Sequence, residues 1–137
     1  MLNLYCKILL LFLSPLLLAD PVITVISPLN VPSVSAQITE TIVVAPTDTG
    51  AAILRVTGGT PLASVTCAVE FPVVTATTPP GLNNDQKVVL NNWIISCPGV
   101  FDNTGAMDVR LGATIIKQAT NVPGLYTETT QALIINY

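Results

Sequence analysis

Turn-forming residues cut this chain at regular intervals. The breaks are Ser27-Pro28, residues 46–50, Gly58-Gly59-Thr60-Pro61, the stretch 77–85, Pro98-Gly99 and Asn121 to Gly124. Between them lie runs rich in Val, Ile and Thr, whose branched Cβ atoms suit a pleated surface and disfavour helix. No window shows the 3.6-residue apolar period of an amphipathic helix, and no internal repeat is visible. The spacing predicts strands over 22–26, 38–45, 51–57, 63–71, 87–97, 107–117 and 125–137. Regular short strands of this kind are the pattern of an all-β sandwich or barrel. About seven of them in one domain is the count of an immunoglobulin-like Greek-key sandwich.

The last of these runs is the most regular. Pro123-Gly124 supplies a turn, after which Leu133, Ile135 and Tyr137 fall on one face and Ile134 and Asn136 on the other. That strand ends the sequence on an apolar residue and a carboxylate, so its edge is expected either to close an ordinary sandwich or to be held by another protein. Residues 22–26 are unusual in a different way. Val22 and Ile26 flank Thr24 on one face while Ile23 and Val25 fill the other, so the strand is apolar on both sides. A half-buried edge strand needs only one apolar face; two suit a strand inserted into a groove.

The first nineteen residues read as a signal peptide. Lys7 gives the n-region its single positive charge, residues 8–18 form an apolar h-region, and Ala19 is a small residue before a cleavage point at Asp20. Val34-Ser35-Ala36 before Gln37 has better small residues but lies far from the h-region, and cleavage there would remove the first strand. The mature chain would be a single domain over 20–137. Beyond residue 19 no stretch of about 20 apolar residues is free of Pro, Gly or charge, so no further membrane span is expected. An exported chain is thus predicted in the periplasm, at the cell surface or outside the cell, with no membrane contact after cleavage.

Cys6 leaves with the leader. The remaining pair, Cys67 and Cys97, predicts one disulfide in an exported domain, joining either neighbouring strands or two sheets; free structural thiols are the alternative. Half of all residues are hydrophobic and only 9% are charged, where an average soluble domain has about 25%. So few surface charges protect a β domain poorly against edge-to-edge association. Removing Lys7 leaves four basic against eight acidic residues, a net charge of −4 that argues against a nucleic-acid partner.

Chemistry is sparse. There is no His, which removes the commonest general base and, with so few thiols, makes a metal centre implausible. Asp102 and Asp108 are the closest carboxylates in a structured stretch, but they read as solvated ends of a hairpin. Asn83, Asn84 and Asp85 offer oxygen atoms without the Gly and Glu of a calcium loop. Trp93, four residues before Cys97, is expected to pack beside the disulfide, with an exposed sugar-stacking platform as the alternative. No catalytic residue, cofactor site or metal site is predicted, and the chain does not read as an enzyme.

Four short motifs in order carry a resemblance. Ile23-Thr24-Val25-Ile26-Ser27-Pro28-Leu29, Arg55-Val56-Thr57-Gly58, Asp108-Val109-Arg110-Leu111-Gly112-Ala113-Thr114 and the ending Gly124-Leu125-Tyr126 through Tyr137 resemble a secreted bacterial pilin-like domain of unknown function. That family is related to the spore-coat-protein-U-like subunits of archaic chaperone–usher pili. The resemblance spans roughly residues 22–137 and departs where the family often has Phe-Gly after Ser-Pro-Leu, here Asn30-Val31. It implies a structural subunit of a fimbrium or coat, an incomplete sandwich completed by a donor strand, self-association, and a periplasmic chaperone and usher as partners. The donor would be residues 20–29, with Val22, Ile23, Thr24, Val25 and Ile26 entering the next subunit. The competing expectation is a complete monomeric secreted module, binding carbohydrate or protein, in which the same residues are its own first strand.

Overall fold

A computed structural model describes residues 20–31, 38–70, 73–75, 81, 83, 86–121 and 133–137. These residues form two antiparallel sheets and no α-helix. The strands are β1 (Val22–Ser27), β2 (Glu40–Val44), β3 (Ala52–Thr57), β4 (Thr66–Val69), β5 (Val74–Thr75), β6 (Val89–Ser96), β7 (Met107–Lys117) and β8 (Leu133–Asn136). Each predicted run contains a strand. β5 was not expected: it is a two-residue edge ladder on β6 that falls in the predicted 71–87 gap. Of the long run expected over 125–137, only the part from Leu133 lies within the described residues.

The larger sheet runs β1-β3-β7-β6-β5, with β2 also paired to β7. β7 is its axis because β3 and β2 share one of its edges end to end: Ala52 to Val56 pair with Leu111 to Met107, and Glu40 to Val44 with Lys117 to Ala113. Gly112 sits where one partner gives way to the next. A Cβ there would stand 2.1 Å from the Val44 carbonyl oxygen, so only glycine lets both strands reach β7. Met107, Val109, Leu111, Ala113 and Ile115 of β7 are buried on one face, and the alternation is broken only at Gly112, which is buried on the other.

β6 reaches the same core by changing parity. Val88 and Leu90 pack inward at its start, Ile95 and Cys97 at its end. The switch is a bulge between Asn91 and Ile94, where Asn92 adopts φ 47°. Asn tolerates this left-handed backbone better than branched residues, and one extra residue flips every side chain that follows.

The smaller sheet is β4-β8. Its inner residues Cys67, Val69, Leu133 and Ile135 pack against a core of Ala52, Val56, Val65, Phe101, Met107, Val109 and Leu111, so the two sheets stack as layers of a β-sandwich. Cys67 and Cys97 form the disulfide, with Cα atoms 6.0 Å apart. Because Cys67 lies on β4 and Cys97 directly follows β6, the bridge joins the two sheets.

Candidate assembly edge

The disulfide fixes how the layers overlap. β4 is tied to the end of β6, and Leu133 and Ile135 of β8 pack against the core cluster to which β3 and β7 contribute. β8 pairs with β4 through one edge and turns its other edge away from it. No described residue pairs with that edge. Ile23 and Val25 of β1 stand opposite Val56 and Leu54 of β3, which places them on the core-facing side of the sheet. Both are nonetheless exposed. Among the described residues two features are thus left without a partner: the β8 edge away from β4, and Ile23 and Val25 on the core-facing side of β1.

Tyr137 differs from expectation. It shares a face with Leu133 and Ile135, yet more than half of it is exposed. It lies beyond the last paired residue of β8, Asn136 opposite Thr66, and caps the core from outside. Its ring meets buried Phe101 edge-on, with centroids 6.2 Å apart and planes at 75°, a favoured aromatic geometry. Phe101 in turn fills the space that a side chain on Gly59 would need, since a Cβ there would approach its ring to 2.3 Å.

The structure places the five residues Val22, Ile23, Thr24, Val25 and Ile26 in cis, as the edge strand of their own sheet. Register slips between Val25 and Ser27, leaving Ile26 as a bulge. The two apolar faces read from the sequence are real, but neither is covered by the described residues.

The remaining candidates stay apart from this edge. Trp93 is half-buried beside β4 and lines a hollow of about 260 Å³ with Val69, Val73, Asn91 and Asn92. Its indole Nε1 and the Asn91 Oδ1 are both buried without a hydrogen-bond partner. Asp102 and Asp108 do not form a dyad. Asp102 Oδ1 accepts from the Ala106 N–H at 2.9 Å, the Thr104 hydroxyl at 2.7 Å and the Thr104 N–H at 2.8 Å. Those hydrogen bonds, that of Ala106 foremost, hold its carboxyl below the usual carboxylate range. Asp108 faces Arg55 across β3 and β7 in a two-pronged ion pair at 2.8 and 2.7 Å. Hydrogen bonding to that guanidinium lowers the Asp108 pKa and raises that of Arg55. Asn83 acts as a turn former, exchanging hydrogen bonds with Gln86; Asn84 and Asp85 lie outside the described residues. Among the described residues no group of three metal-ligating side chains converges, and no helix is long and apolar enough to cross a membrane.

Sequence reasoning missed the bulge at Asn92, although the shift of apolar positions from Val88 and Leu90 to Trp93, Ile95 and Cys97 signalled it. Nor did it identify β3 as the partner of β1, a pairing that no local pattern encodes. Compared with family models, curated proteins and solved structures, the chain has no match.

Proposed function

We propose that this protein is an exported structural subunit of a bacterial surface fibre or coat, not an enzyme, and that it assembles when an extended strand adds to the open edge of β8. The observation that carries this reading is that edge, which no described residue pairs. A strand added there would gain main-chain hydrogen bonds from β8 and turn alternate side chains toward the larger sheet, which is recognition by β-augmentation.

Strand order supports the finer fold assignment. β1-β3-β7-β6 in one layer and β4-β8 in the other follow the order of an immunoglobulin-like Greek-key sandwich, A-B-E-D and C-F, and the added strand would take the G position. The motifs shared with pilin-like domains point the same way, and a periplasmic chaperone would hold the same edge before assembly. Residues 20–29 are the segment to be given to the next subunit, since β1 is attached through one edge only. The leader expected at residues 1–19, outside the described residues, would provide export, and the disulfide suits an oxidising compartment.

One observation favours a second reading, a complete monomeric binding module: β1 pairs with β3 of its own chain. Gel filtration of the protein with and without residues 20–29 separates the two. A subunit predicts polymers larger than dimers that vanish on deletion while the remaining monomer stays folded. A domain that unfolds on deletion uses the segment as its own strand and contradicts the donor role.

A further inference from the structure

Another edge without a partner among the described residues belongs to β1. Its far side pairs with no described residue, and Val22, Val25 and Ile26 are 60%, 61% and 55% exposed. Natural edge strands are usually blunted by a charge, a proline or shortness. Between Pro21 and Pro28 this one carries no charge and no proline over six residues. Its only irregularity is the bulge at Ile26.

The order of residues identifies what fits it. Val22-Ile23-Thr24-Val25-Ile26 has the same chemical kinds in both directions about Thr24. If two copies meet antiparallel with Thr24 at the centre, Thr24 stands opposite Thr24, Ile23 opposite Val25, and Val22 opposite Ile26. Opposed residues in an antiparallel pair share a face, so the core-facing Ile23 of one copy lies against the core-facing Val25 of the other. Every opposed pair is then Thr with Thr or one β-branched aliphatic with another, combinations that stabilise cross-strand contacts. The nearest charge, Asp20, would stand opposite Pro28, so no like charges meet. Such a contact is isologous and closes on itself.

We propose that β1, in its cis position, is a homodimer contact: two copies join edge to edge about Thr24, and the two larger sheets become one continuous sheet. This does not rest on strand addition at β8; it uses residues 22–26 in cis, so a copy joined in this way has not given its strand to a neighbour.

The test is register-specific. Directly opposed residues in an antiparallel pair have Cα atoms about 4.5 or 5.5 Å apart, and both lie within the span of about 4.4–6.8 Å that a disulfide bridges. The variant Thr24→Cys, oxidised with glutathione disulfide, should therefore give a covalent dimer joined through the two residues at position 24, as located by peptide mass mapping. Val22→Cys alone should not be trapped as a covalent dimer. Ile23→Cys and Val25→Cys should cross-link with each other far more than either does with itself. On unmodified protein, sedimentation should show a mass that doubles with concentration, and hydrogen exchange at Val22 to Val25 should slow in step. Insertion of β1 beside β8 of a neighbour would not juxtapose two copies of residue 24. A chain that remains monomeric, a dimer that Thr24→Cys does not trap, or equal cross-linking at all four positions each overturns the proposal. The unmodified-protein measurement decides it if the cysteine variants fail to fold.

Discussion

Breaking the Cys67–Cys97 bridge is the perturbation whose size and location follow most directly from the structure. The two residues are 30 positions apart, and closing a loop of that length restrains the unfolded chain by about 3–4 kcal/mol. That is a large part of the ~5–15 kcal/mol that holds a domain together. For a chain of this size the melting temperature should fall by roughly 10–15 °C on reduction or in Cys67→Ala/Cys97→Ala. The loss should also be uneven. The described parts of β4 and β8 are four residues each, and a two-stranded ribbon is marginal unless it is packed against something. Its tether to β6 is the disulfide. Hydrogen exchange monitored by mass spectrometry should show Thr66–Val69 and Leu133–Asn136 losing protection first, while the β3–β7 ladder keeps its own. A melting shift below about 2 °C, or equal loss of protection in both sheets, would refute the reasoning that the bridge holds the upper layer in place.

Three other outcomes follow. Ile135→Asp places a charge against the core, at several kcal/mol, and should abolish folded protein; Ile134→Asp, on the face that is 40% exposed, should be tolerated, and soluble yield with circular dichroism reads the contrast. Gly112→Ala sets a Cβ against the Val44 carbonyl and should destabilise the fold by about 1–3 kcal/mol, with β2 amides exchanging faster than those of β3. The Asp108 carboxylate has a folded pKa below its ordinary value of 3.8, so its contribution is present above that value and lost as pH falls through the lowered one. Thermal melts from pH 7 to pH 2 should show wild type more stable than Asp108→Asn at neutral pH and the difference closing below about pH 4; a difference that persists at pH 2 would show that the ion pair is not its source.

Much of this architecture was legible because β-strands announce themselves by local means. Pro, Gly and Asn close each run, and alternation along residues 107–117 exposes a buried face. The same alternation put Leu133 and Ile135 on one side of the last strand. What the sequence could not convey is which strands meet. That β2 and β3 share an edge of β7 depends on a close approach at Gly112, which looked like an ordinary glycine in a strand. That the disulfide joins layers rather than neighbours depends on β4 leaving the larger sheet. Residues 22–26 show the limit best. Their two apolar faces suggested burial on both sides, whereas among the described residues neither face is covered. Tyr137 continues the buried face of its strand by parity, but it lies beyond the last paired residue and so finds only the edge of Phe101.

The central claim is that the open edge of β8 accepts a strand. A synthetic peptide with the sequence of residues 20–29 can be titrated into the protein while backbone amide exchange at Leu133, Ile134, Ile135 and Asn136 is followed by NMR. The account predicts that exchange at these residues slows with saturating dependence on peptide, that nuclear Overhauser contacts link the peptide to Leu54 and Ile135, and that a peptide with Thr24→Arg does neither. Unchanged exchange along β8 at saturating peptide, or the same effect from the Thr24→Arg peptide, would contradict it.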